Sequence, residues 1–308
     1  MLAAARDAAG RALVPAADPD RWWGTAEPSA SDAAVRDPDR PVDLSGSAVD
    51  GITTCPLQWF LRHEVHADVA ATVAMGFGNV LHALAEEVAL DPGAIHDVDD
   101  LMKRLDTVWP ELSFDAAWQS ELQRDAARDA LARFLAWHAG RPGRSLLAVE
   151  VPFEVEVGLG DDTVRLRGRL DRVELDAAGR AHVVDFKTSK TPVAKADLER
   201  HPQLGTYQVA VGAGALADVP GAPDAPGAPG GAELVMLRQE VGRTGLPKVQ
   251  SQEPPGATAD PGWALRLLAD AARRVRTEQF GPLPAEGCDR CAYRRCCSAR
   301  PEGRQVVE

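Results

Sequence analysis

Asp185 and Lys187 stand two residues apart in Val183-Val184-Asp185-Phe186-Lys187-Thr188, an otherwise mostly apolar run. Read as a strand, its period of two puts Val183, Asp185 and Lys187 on one face and Val184 and Phe186 on the other. An acid and a base then point the same way from a buried strand, and desolvating such a pair costs several kcal/mol before pairing returns any of it. On its own the pair reads as a structural ion pair, so its meaning depends on its neighbours. A second acid lies upstream in Gly168-Arg169-Leu170-Asp171-Arg172. Apolar residues fall on even positions from Val164 to Leu170 and on odd ones afterwards (Val173, Leu175), which predicts a bulge or sharp bend at Asp171. Asp176-Ala177-Ala178-Gly179-Arg180 reads as a hairpin loop between the two strands, so Asp171 and Asp185 become neighbours. Two close carboxylates with a lysine beside them suit a hard divalent ion, Mg²⁺ or Mn²⁺.

The elements that must position these groups follow from pattern. Phe77, Leu81, Leu84 and Val88 form an amphipathic helical stripe ended by Asp91-Pro92-Gly93. His82 sits one position off the stripe, downstream of Gly76 and Gly78, where a backbone can approach another element closely. Its plain reading is an ordinary helix residue. Ser47-Ala48-Val49-Asp50 predicts an earlier helix start, and Pro56 suits the first turn of the next segment. Helices are expected over 98–110 and 120–140, the second with Leu122, Ala126, Ala130, Leu131, Phe134 and Trp137 inward. Glu150 to Val157 alternates as a strand with Glu150, Glu154 and Glu156 facing water. Ala196 to Val211 reads as one helix with Gln203 and Tyr207 at i and i+4; without further context they are core-edge residues. Asp218 to Gly231 is a flexible Pro/Gly-rich insert, Ala232 to Leu237 a last strand, the chain through Pro255 a loop, and Pro261 to Phe280 a helix. Residues 1–41 read as a short helix and a flexible lead-in, with Trp22-Trp23 its aromatic spot.

The histidine, acids, lysine, glutamine and tyrosine together resemble the RecB-type branch of the PD-(D/E)XK nuclease superfamily. The matching runs are Gly76-Phe77-Gly78-Asn79-Val80-Leu81-His82, Gly-Arg-Leu-Asp-Arg ending past Asp171, Val-Asp-Phe-Lys-Thr with Asp185 and Lys187, and His201-Pro202-Gln203-Leu204-Gly205-Thr206-Tyr207. The resemblance spans residues 42 to 308 and implies an α/β, restriction-endonuclease-like fold: a mixed central sheet flanked by helices, a helical N-terminal part and a Cys-rich C-terminal end at 281–308. It implies metal-dependent hydrolysis of DNA, most simply as an exonuclease in recombination or double-strand-break repair. His82, Asp171 and Asp185 would be metal ligands, helped by the Phe186 carbonyl, with Glu150 the weaker fourth. Lys187 would orient water or stabilise the transition state, and Gln203 and Tyr207 would position the phosphate. The rival reading is a non-catalytic DNA-end-binding or scaffold domain.

The cysteines form a separate constellation: Cys55 alone, then Cys288, Cys291, Cys296 and Cys297. This does not read as a disulfide framework, and soft thiolates select iron–sulfur clusters or zinc. Cys288-x2-Cys291-x5-Cys297 with Cys55 resembles the iron–sulfur variant of RecB-like nucleases in the AddB and CRISPR-associated branches. That implies a [4Fe–4S] cluster clamping the two ends of the domain, with zinc the alternative and Cys296 a substitute for Cys297. The stretch between Trp22 and Leu44 and the ending from Ala292 to Gln305 look like the C-terminal region of actinobacterial helicase–nucleases of the UvrD/AdnA–AdnB kind. Those carry an ATP-driven motor, whereas this sequence has no Gly-x4-Gly-Lys-[Ser/Thr] loop. The expectation is a separate helicase partner, an internal start at Met1, or a nuclease acting alone.

At 308 residues, 45% hydrophobic and rich in alanine, the chain suits one large helix-rich domain with appendages. No apolar run is long enough for a membrane span and no signal peptide opens the sequence, so the protein is expected in the cytoplasm. The net charge of −12 opposes general nucleic-acid binding. The tension eases if Arg165, Arg167, Arg169, Arg172, Lys187, Lys190 and Lys195 gather around the site; the alternative is a solvated edge strand.

Overall fold

The computed structural model describes residues 5–18, 31–67, 73–91, 96–112, 114, 116–141, 143–160, 162–223 and 227–303. The chain divides into two compact units, Met1–Asp37 and Pro38–Glu308. In the first, the Asp7 carboxylate accepts the backbone N–H groups of Ala9 and Arg11 and holds a turn closed by an Arg6–Ala12 bridge. The short α-helix expected there is absent among the described residues, which hold one 3₁₀ turn, Pro15–Ala17. Trp22 and Trp23 lie outside the described residues.

The second unit is α/β, a six-stranded mixed sheet flanked by helices. Its strands are β1 (Val42–Leu44), β2 (Arg144–Leu159), β3 (Asp162–Asp176), β4 (Ala181–Lys187), β5 (Gly231–Glu240) and β6 (Pro247–Gln252). Its helices are α1 (Gly46–Thr54), α2 (Pro56–His63), α3 (Val73–Leu90), α4 (Val98–Val108), α5 (Ala117–Ala139), α6 (Lys195–Leu198), α7 (Pro202–Gly212) and α8 (Trp263–Arg276). The sheet separates two cores. On one face Ile52, Leu204 and Leu268 from α1, α7 and α8 meet Phe153, Leu166 and Val183. On the other, Leu81, Leu105 and Phe134 from α3, α4 and α5 meet Val184, Phe186 and Val235. Among the described residues no helix is long and apolar enough to cross a membrane.

β3 is the strand on which the site depends. Antiparallel β2 covers one of its edges from Asp162 to Asp176. The other edge is shared: parallel β1 takes Val164–Leu166 and antiparallel β4 takes Arg172–Leu175. Residues 167–171 are left with no strand beside them on that edge. The change of phase expected at Asp171 is present, since Leu170 and Val173 enter the same core although three residues apart. An extra residue in β3 is not its cause. Pairing with β2 keeps its register on either side (Val151↔Leu170, Val149↔Arg172), and the irregularity falls on Glu150, opposite Asp171, whose φ is +48°. The register shift lies elsewhere, between Leu146 and Ala148.

Several sequence expectations need correction. The cap of α1 is Ser45, whose Oγ accepts the Ala48 N–H, two residues before the expected start. Leu122 is 54% exposed, because it lies about 140° around α5 from the buried Ala127 at 100° per residue. The single helix expected from Ala196 to Val211 is broken into α6 and α7. Pro202 has no N–H to continue a helix but suits the first position of a new one, and His201 caps it. The stretch read as a loop to Pro255 contains β6, whose polarity is inverted: Val249 is 37% exposed while Gln250 and Gln252 are buried. Their amides satisfy backbone groups, Gln250 both the carbonyl and the N–H of Val193 and Gln252 the carbonyl of Leu198. β1 was not expected either; three residues are too few to show a period.

Arg172 is not at the cleft. It is buried on the α5 face, where Glu174 and Glu233 are held by Arg141, Arg144, Arg172 and His182, and where Arg141 and Arg172 lie over the Trp137 ring. Burial alone would push the Glu233 carboxyl up, but the hydrogen bond from His182 and the charges of Arg141 and Arg144 outweigh it and hold it at about 2. Glu233→Ala, which strands these cations, is expected to cost about 3–5 kcal/mol in urea denaturation followed by circular dichroism. The wild-type contribution should be complete above pH 4.5 and lost as pH falls toward 2, so a stability profile flat across that window would make the network neutral.

Candidate active site

Where β4 leaves β3, the Asp171 side chain replaces the ladder. Oδ2 accepts the Phe186 N–H at 2.8 Å, a bond the backbone of β3 would otherwise have taken. The same oxygen lies 3.4 Å from Nδ1 of His82 on α3. Helix α3 reaches this point because Gly78 has no Cβ; one would stand 3.1 Å from Thr188 Oγ1, just past β4. The left-handed backbone of Glu150 turns its carboxylate to the same place. One ligand atom each from His82, Glu150 and Asp171 lies within 4.8 Å of the others, and among the described residues no other set of histidine, cysteine or acid gathers so closely.

Asp185 and Lys187 share a face of β4, as the strand period requires, and Lys187 Nζ is 2.7 Å from Asp185 Oδ2. Lys187 is thus the cation that faces this buried carboxylate oxygen. Gln203 on α7 ties the pair together. Its Oε1 accepts from Lys187 Nζ at 2.7 Å, and its Nε2 donates to Asp185 Oδ1 at 3.0 Å and to the Tyr207 hydroxyl at 2.7 Å. All of these side chains line one open cleft of about 800 Å³. Glu150, expected as the weakest member, is one of the three whose ligand atoms lie within 4.8 Å, while Asp185 acts on His82 and Asp171 through its charge more strongly than Glu150 does.

The charges set the protonation states. Burial, reinforced by Asp185, raises the Asp171 carboxyl well above its ordinary value. Burial lowers His82 despite the nearby acids, which favours a neutral imidazole. Burial works against the Lys187 ammonium, but Asp185 outweighs it and raises its pKa. Burial and the two aspartates raise Tyr207, which stays a phenol. The ligand atoms are carboxylate oxygens and an imidazole nitrogen, and three of them already converge, so the residues fit a hard divalent ion.

Asn79 and Glu86 also line the cleft, although the sequence reading passed over them. They stand three before and four after His82, the spacing of one helix face, and that was the signal available. The basic cluster is only partly realised. Arg169 and Lys187 line the cleft, whereas Arg165 and Arg167 pair with Asp43.

The cysteines meet in a second place. Cys55, in the extended break between α1 and α2, lines one cavity with Cys288, Cys291 and Cys297. Cys296 is exposed and its thiol donates to the Tyr293 carbonyl. The buried Tyr293 donates its hydroxyl to the Ala67 carbonyl and so ties this end to the chain after α2.

A mixed sheet with helices on both faces and an interior Asp-x-Lys strand beside the divided edge of β3 make a restriction-endonuclease-like fold. A family model for the PD-(D/E)XK nuclease superfamily matches residues 43–298, and the chain belongs to that superfamily. Its nucleases use divalent metals such as Mg²⁺ or Mn²⁺. No curated protein matches the chain. Among solved structures, that of SSO0001 is 18% identical, covering 73% of this chain and 97% of its own, at a TM-score of 0.33, too slight a likeness to carry weight.

Because Asp171 must lose a proton before it can face a cation, divalent-ion affinity is expected to keep rising with pH above the ordinary carboxylate range. Mn²⁺ titrations followed by electron paramagnetic resonance at several pH values check this, and Asp171→Asn should remove both the pH dependence and most of the affinity.

Proposed function

We propose that the chain is a metal-dependent nuclease that hydrolyses DNA phosphodiester bonds in the cleft beside the unpaired stretch of β3. The observation that carries the reading is the convergence there of His82 from α3, Glu150 from β2 and Asp171 from β3, with Asp185 and Lys187 alongside. In this reading His82, Glu150, Asp171 and Asp185 hold Mg²⁺ or Mn²⁺, with the Phe186 carbonyl as a further donor. The ion supplies Lewis acidity, acidifying water and offsetting charge on the scissile phosphate. Lys187, fixed by Asp185 and Gln203, places an ammonium where it orients the attacking water or meets developing negative charge. Gln203 uses both ends of its amide to hold Lys187, Asp185 and Tyr207 in one geometry, and Tyr207, kept protonated, helps to position the phosphate.

In the same proposal Cys55, Cys288, Cys291 and Cys297 hold a [4Fe–4S] cluster that joins the two ends of a nuclease domain at 42–308, with 1–41 as a lead-in. Their shared cavity and the outward position of Cys296 support this ligand set. The wider setting rests on the sequence resemblance: exonucleolytic DNA processing in recombination or break repair, in the cytoplasm, alone or with a helicase motor.

Asp185→Ala or Lys187→Ala should abolish cleavage of end-labelled single- and double-stranded DNA in Mg²⁺ or Mn²⁺ with the circular dichroism spectrum unchanged. Cleavage surviving either substitution would end the assignment. Cys55→Ser and Cys297→Ser should each remove bound iron and visible absorbance and lower the melting temperature, while Cys296→Ser leaves all three intact; iron lost in Cys296→Ser and kept in Cys297→Ser would exchange the fourth ligand.

A further inference from the structure

Arg169 differs from the other arginines of β3. Arg165 and Arg167 are tied to Asp43 of β1, and Arg172 is locked beneath the sheet with Glu174. Arg169 projects from the stretch that β1 and β4 leave uncovered, lines the cleft, and keeps 62% of its side chain exposed. Its partner is Glu150, at 3.3 Å between Nη1 and Oε2. That carboxylate is also the one aimed at His82 and Asp171 by a left-handed backbone, a conformation costly for a non-glycine residue and concentrated at functional sites. Glu150 therefore has two claimants, a guanidinium on the rim and the position where a cation fits. A carboxylate drawn to a divalent ion releases the arginine, whose planar fork matches phosphate oxygens.

We propose that Arg169 grips a phosphate of the substrate strand and that its ion pair with Glu150 restrains it until a divalent cation draws Glu150 away. This rests on the nuclease reading above and adds to it a substrate-binding residue under metal control. The pairing couples two events: the cleft offers its mobile cation to DNA only when the metal site is filled.

Binding without metal separates this from generic electrostatics. In EDTA, fluorescence anisotropy with a short labelled single-stranded DNA should show Glu150→Gln binding roughly tenfold tighter than wild type, as one charge-assisted phosphate contact is gained. The slope of log K against log salt should steepen by about 0.7, one single-strand phosphate. In an Arg169→Ala background the same Glu150→Gln change should bring no gain. An equal gain in both backgrounds would mean that only a negative charge had been removed, and no gain in either would mean that Arg169 was never restrained; both results overturn the proposal. Wild-type and Asp185→Ala cleavage assays run alongside keep the two readings distinct. If wild type cuts and Asp185→Ala does not while the cycle fails, only the Arg169 role is lost. A wild type that never cuts DNA removes both.

Discussion

One hydrogen bond organises the site: the Phe186 N–H given to the Asp171 carboxylate instead of to a backbone carbonyl. A strand leaving its neighbour exposes polar groups that must find partners, and here an acid from the neighbour supplies one. The exchange lets β4 part from β3 without leaving that N–H unpaired, and it fixes Asp171 where the gap opens. The length of β3 makes this necessary, because β1 and β4 together do not cover its edge. The gap is thus built by strand lengths, and side chains from three directions enter it.

The pieces that obey simple periods were legible in the sequence. Asp185 and Lys187 share a face because a strand has a period of two, and Gln203 bonds Tyr207 because i and i+4 meet on a helix. The hairpin after Asp176 and the stripe Leu81, Leu84, Val88 follow in the same way. The parts that escaped obey tertiary rules. β6 buries glutamines and exposes valine because its inner face satisfies the backbone around Val193 and Leu198, so a hydrophobic pattern misreads it. The closeness of Glu150 to the site comes from a left-handed backbone that alternation forbids. Arg172 looked like part of a basic rim, yet a strand sends adjacent residues to opposite faces, and its face belongs to Glu174 and Trp137.

The two faces of β3 are accordingly specialised within a single dipeptide. Asp171 opens to the cleft, and Arg172 enters a buried network of two glutamates, three arginines and a histidine. That network pins the end of β3 to β5 and to the chain after α5. The acidic balance of the whole chain, −12, fits this division. Much of its cationic charge is spent on internal pairing, and the cleft itself is lined by Arg169 and Lys187.

Glu150 carries a consequence for how the protein can be improved or can evolve. Its φ of +48° is comfortable for glycine and uncomfortable for glutamate. Relaxing the backbone and keeping the carboxylate are incompatible at that codon. A screen rewarding only heat resistance would drift toward glycine there, so thermostability would be gained at the expense of the acid that stands beside His82 and Asp171.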